Sequence, residues 1–148
     1  MAKSIKWDEA ATAAQNARRK LPALVKEYFT EGRAVARGKP SPAAIHRFML
    51  RTRRLDYSLE LFQPCYGPRL AQRLEALRRV EQFLQEFDDC RAARRLYGAM
   101  AEVRLRRFLD DRARRKLADF RACWTAEVDA KGQERAWREY LARARQAR

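Results

Sequence analysis

Histidine, glycine, proline and cysteine are all scarce in this 148-residue chain, and each shortage closes off a class of protein. There is one histidine, His46. A single imidazole without Cys or His partners at ligand spacing does not make a metal site. Five glycines and five prolines are too few for the turns of an all-β domain, and no stretch alternates polar and apolar residues for long. The three cysteines, Cys65, Cys90 and Cys123, are odd in number and far apart, with no CxxC spacing. They read as small buried apolar residues in a reducing compartment. The first ten residues, MAKSIKWDEA, lack the apolar core of a secretory signal. No apolar run approaches the length of a membrane span. Catalysis by an activated nucleophile needs a base and an orienting group, and no such constellation is written here. The shortages together predict no enzyme, no catalytic residue, no metal, no cofactor and no membrane partner, in a cytoplasmic protein.

Acid is scarce relative to base. Lys and Arg total 34 against 19 Asp and Glu, a net charge of +15. A surface this positive calls for a counter-anion: a phosphate polymer, nucleic acid, an acidic protein or anionic lipid. Arg far outnumbers Lys, which favours bidentate contacts to oxyanions. The length suits a single domain over residues 1–148 with its own core.

What is present reads as helix throughout. The expected fold class is all-α, an antiparallel four-helix bundle with a short additional C-terminal helix. The first helix is placed at about Ile5 to Glu31, with Ala10, Ala13, Ala14, Ala17, Leu21, Leu24, Val25 and Tyr28 as its apolar stripe. Pro22 is expected to kink or split it. Residues 32–42 (GRAVARGKPSP) read as a connection. Ser41 is an N-cap with Pro42 at the first helical position, opening a second helix to about Phe62. Pro64 and Gly67-Pro68 break the chain. A third helix is expected over about Arg69 to Met100, and a fourth over about Val103 to Val128, with Leu105, Phe108, Leu109, Leu117, Phe120 and Trp124 as its apolar residues. After Gly132 comes a short tail helix with Trp137, Tyr140 and Leu141.

At 100° per residue the second helix shows three faces. Phe48, Leu55, Leu59 and Phe62, edged by Ile45 and Thr52, form the core side. Arg47, Arg51, Arg54 and Ser58 form a uniformly basic side. His46, Met49, Arg53, Asp56, Tyr57 and Glu60 form a mixed polar side, largely opposite the core. The third helix adds Arg78, Arg79, Arg91, Arg94 and Arg95. For any one of these arginines a solvated salt bridge is the bland reading. Their concentration on two consecutive helices points to a polyanion site made of His46, Arg47, Arg51, Arg53, Arg54, Arg78, Arg79, Arg91, Arg94 and Arg95.

The stretch His46 to Phe62 resembles the motif helix of the CHAD family, the conserved-histidine α-helical domains, whose pattern is roughly H-x-x-R-V-x-x-R-R-L-R-x-x-L-x-x-F. His46, Arg53, Arg54, Leu55, Leu59 and Phe62 match, and Leu50 stands for the Val. Val80 to Leu96 is similar to the family's L-Q-x-x-L-G-x-x-x-D segment, with Leu84 and Asp89 in register and Gln85 in place of Gly. Family members usually contain two four-helix repeats about a pseudo-two-fold axis, with a basic surface that binds polyphosphate. The resemblance therefore implies a half-length member that binds polyphosphate or another phosphate polyanion, associates with polyphosphate granules and pairs as a homodimer to restore the second repeat. Two positions depart from the pattern, Met49 and Asp56, where the family carries Arg. On an exposed face, Asp56 would repel phosphate, and Asp56→Arg would tighten binding. The competing reading is a degenerate half that serves as an interaction module, dimerising or docking on an acidic partner. Nucleic acid is a further candidate partner, with Trp7, Trp124, Trp137 and Tyr140 available for stacking. The segment Glu127-Val128-Asp129-Ala130-Lys131 mimics an E-x-E-x-K metal motif, but it ends a helix, where the carboxylates cannot converge as they do on a strand.

Overall fold

The computed structural model describes residues 5–145. The first helix, α1, runs Ala13–Arg37 and opens on a capping box: Thr12 Oγ1 accepts from the Gln15 amide at 3.2 Å, and Gln15 Oε1 accepts from the Thr12 amide at 2.9 Å. This cap explains why the helix begins eight residues later than the sequence suggested. The segment before it is held against α1 instead, with the Asp8 amide donating to Asn16 Oδ1 at 2.9 Å. Pro22 lies inside one continuous helix. The expected connection from Gly32 is in fact the last turns of α1, because Val35 and Ala36 are buried and extend the apolar stripe. Gly38 ends it, as its amide donates to the Ala34 carbonyl at 3.1 Å.

Ser41 caps α2 (Pro42–Leu61) by accepting from the Ala44 amide at 3.1 Å, with Pro42 in the first turn. A short 3₁₀ turn, Gln63–Cys65, leads to α3 (Arg69–Tyr97). Next come α4 (Val103–Cys123), a π-helical turn over Trp124–Val128, and α5 (Gln133–Leu141). The described residues contain no strand. In space, α2 packs on α1 and α3, α3 on α4, and α5 on α1. The four long helices form an antiparallel bundle with α5 as the short addition.

The core is centred on aromatic rings from three helices and the π turn. Tyr28 stacks on Phe48 with centroids 4.9 Å apart, and the buried Trp124 meets Tyr28, Phe29, Phe48 and Phe120. Thr52 donates to the Phe48 carbonyl at 2.9 Å, so the Tyr28 hydroxyl is the donor in its 3.0 Å bond to Thr52 Oγ1. Burial pushes the Tyr28 pKa far above its usual value. The expected apolar stripe of the fourth helix is half right. Phe120 and Trp124 are core, whereas Leu105 and Phe108 are exposed, because the first turns of α4 extend past the bundle to the hairpin tip. Cys65, Cys90 and Cys123 are free and buried.

Candidate functional site: the arginine faces of the second and third helices

The core side of α2 is as the sequence placed it: Ile45, Phe48, Thr52, Leu55, Leu59 and Phe62 are all buried. The mixed side requires correction. Met49 is 3% exposed and Asp56 is 4% exposed, so neither stands on an open surface. This side is the seam between α2 and α3. The two helices keep one antiparallel register, and each step of seven or three along α2 is matched by the same step backwards along α3. His46 Nδ1 lies 3.1 Å from Asp88 Oδ2. Arg53 donates to Glu81 Oε1 at 2.7 Å and to Gln85 Oε1 at 3.0 Å, and the Glu81 carboxylate raises its already high pKa. Asp56 Oδ2 lies 3.5 Å from Arg78 Nε, and Arg78 also reaches Glu60 at 3.5 Å. The acid at position 56 is thus turned into the seam, where Arg78 of α3 is its cation.

Asp56 is the strained member of this set. Burial pushes its pKa up, Arg78 pulls it down, and the net direction is up. Its second oxygen, Oδ1, is buried without a hydrogen-bond partner. A buried acceptor left this way carries a desolvation cost.

The basic side behaves differently. Arg47 and Arg54 are exposed and have no ion pair among the described residues. Between them, Arg51 is held by Glu31 at 2.6 Å, with Glu27 at 3.8 Å. The three line a cleft of about 480 Å³ between α1 and α2, floored by Leu24, Tyr28, Leu50 and Leu55. On α3, Arg79 pairs with Glu127 at 2.6 Å and Arg94 with Asp110 at 3.3 Å. Arg91 and Arg95 have no ion pair among the described residues. The ten residues therefore do not form one site. Six are held by acids, and the remaining four lie as two pairs, one on α2 and one near the end of α3.

The acids that hold the seam were missed in the sequence, although a signal was there. Glu81, Gln85 and Asp88 repeat at four and three along α3, one polar ridge at the spacing of His46, Met49 and Arg53. The metal lookalike is resolved by its partners: Glu127 pairs with Arg79, while Asp129 and Glu134 clamp Arg33 at 2.8 and 2.9 Å and tie α5 to α1. Of the aromatics considered for base stacking, Trp124 and Trp137 are core and Tyr140 is half-buried under Arg73.

Fold and surface together define an all-helical, arginine-rich domain whose open charges suit an oxyanion polymer. The family model for the CHAD domain matches residues 2–98, and the chain belongs to that family. The match covers α1 to α3 and ends at Gly98, so α4, the π turn and α5 lie beyond it. The family is associated with polyphosphate. No curated protein and no solved structure matches the chain. Among the described residues no helix is long and apolar enough to cross a membrane.

Proposed function

We propose that this domain binds inorganic polyphosphate or a similar phosphate polyanion without catalysing its turnover, through the exposed ridge of Arg47, Arg51 and Arg54 on α2. One observation carries the reading: Arg47 and Arg54 lack acid partners among the described residues, while the seam holding His46, Arg53 and Arg78 is neutralised by α3 and α2 acids. The two open guanidinium groups, Arg47 and Arg54, stand about 10 Å apart in helix rise, with Arg51, held by Glu31, between them. A linear polyanion engages such a row through several weak contacts and releases its counterions. The family's association with polyphosphate supports the same ligand class. Arg91 and Arg95 offer a second, separate pair for a longer polymer.

The test is titration with polyphosphate across a salt series. Arg47→Glu with Arg54→Glu is expected to weaken binding more than about tenfold at low salt and to flatten the salt dependence, since two phosphate contacts are lost. Arg51→Glu is a poorer probe, because it sets a third carboxylate against Glu27 and Glu31. Wild-type protein that fails to bind polyphosphate at low salt overturns the proposal. An unchanged affinity in the double variant moves the site off α2.

A second reading, an interaction module that pairs as a homodimer, is favoured by one observation. Leu50, Tyr57 and Leu61 are exposed in helical register on α2, with Trp7 beside them. A two-fold dimer through α2 would bury this stripe. Light scattering at tens of micromolar is expected to give twice the chain mass, a range of concentration that detects interfaces of ordinary affinity. A monomer there removes this reading.

A further inference from the structure

The largest concentration of exposed apolar surface lies away from the arginine ridge, at the tip of the α3–α4 hairpin. Leu96, Tyr97, Met100, Val103, Leu105 and Phe108 are all open to solvent, with Met100 88% exposed and Phe108 52%. Arg95, Arg104, Arg106 and Arg107 surround them, against the single acid Glu102. None of the four arginines has an ion pair among the described residues. Single exposed apolar residues are ordinary, whereas six within thirteen positions mark a contact surface.

We propose that this tip docks on the surface of an anionic lipid bilayer. Two observations select that occupant. The apolar groups of the tip point in several directions: at 100° per residue, Val103 and Leu105 stand about 160° apart around α4, and Met100 lies in the turn between the helices. A protein groove would cover one side of such a tip, whereas a bilayer surrounds it. The arginine ring then selects the sign of the surface. Two copies meeting tip to tip would press like charges together, while anionic headgroups complement them. Tyr97 and Phe108 suit the headgroup boundary, and the arginine stems lie along it with their guanidinium groups outward. Surface docking of this kind requires no spanning helix, and the tip lies beyond or at the edge of the family-matched residues.

The experiment is co-sedimentation of the full chain with vesicles of phosphatidylserine and phosphatidylcholine, and with phosphatidylcholine alone. A chain at +15 attracts anionic vesicles by charge alone, so the informative variant keeps the charge. Met100→Ser with Phe108→Ser removes apolar surface only, and the exposure of both residues leaves helicity by circular dichroism unchanged. Wild type is expected to partition onto the phosphatidylserine vesicles, and the double variant at least about tenfold less, from the apolar area withdrawn. Absence of wild-type binding overturns the proposal, as does equal binding by the variant. A lipid-free dimer that the variant dissociates overturns it too, because a second copy would then cover the tip.

Discussion

Met49→Arg and Asp56→Arg, the changes that would restore the family pattern in α2, are expected to unfold the domain rather than tighten polyphosphate binding. Met49 and Asp56 are sealed between α2 and α3. Arginine at position 49 buries a cation, and the seam carboxylates Asp88 and Glu81 are already engaged by His46 and Arg53. At position 56 it removes the partner of Arg78 and sets two cations against each other. Arg78 is half exposed and solvent screens it, so the main cost is the guanidinium buried without an acid at either position, on the order of several kcal/mol. Whole-domain stability is only about 5–15 kcal/mol. At this chain length the loss corresponds to a fall in Tm on the order of 10 °C or more. Thermal melts followed by circular dichroism measure it, and a variant with wild-type Tm and tighter polyphosphate binding would falsify the buried assignment. Asp56→Asn provides the pH test. Because the folded pKa of Asp56 is raised, folded protein holds this proton where unfolded chain has released it. The stability contributed by protonation is full below the unfolded value of about 3.9 and is lost as pH rises through the folded value. Wild type should therefore lose stability relative to the Asn variant as pH rises through that window.

The bundle was legible because its evidence is local. Ser41, Pro42 and the stripe from Ile45 to Phe62 specify α2 without reference to anything distant, and the structure keeps each of them in place. The start of α1 was missed because a capping box at Thr12 outweighed an apolar stripe that could have begun earlier. The exposed faces were legible only in part. A helical wheel separates core from non-core, but it cannot say which polar side a neighbouring helix will cover. Arg47 and Arg54 stayed open and Met49 and Asp56 did not, although all four belong to the same helix. Finding the difference required the register of α3, where Arg78, Glu81 and Asp88 answer Asp56, Arg53 and His46. Charge complementarity along two sequences at spacings of three, four and seven was the available signal, and it becomes readable once the helices are known to be antiparallel.

Gly32→Ala is expected to destabilise the domain by about 2–3 kcal/mol, although alanine favours a helix interior over glycine by about 1 kcal/mol. The reason is the Trp124 ring, which lies directly on Gly32: an added Cβ would overlap three of its carbons. The ring cannot withdraw, since it is fully buried and meets Tyr28, Phe29, Phe48 and Phe120. Its backbone is fixed by the π turn, where the Asp129 amide donates to the Trp124 carbonyl at 2.7 Å. Overpacking of this kind costs about 1–3 kcal/mol for small insertions and more where neighbours are rigid. Gly67→Ala is the matched control, because a Cβ there meets nothing within 4 Å, and its effect should stay within about 0.5 kcal/mol. Urea denaturation measures all of these. The coupling is decisive: Trp124→Leu alone opens a cavity, and adding Gly32→Ala to it should cost less than Gly32→Ala costs in the wild type, by about 0.5–3 kcal/mol. Additive losses would mean that the two residues do not meet, and that α1 ends near Glu31 after all.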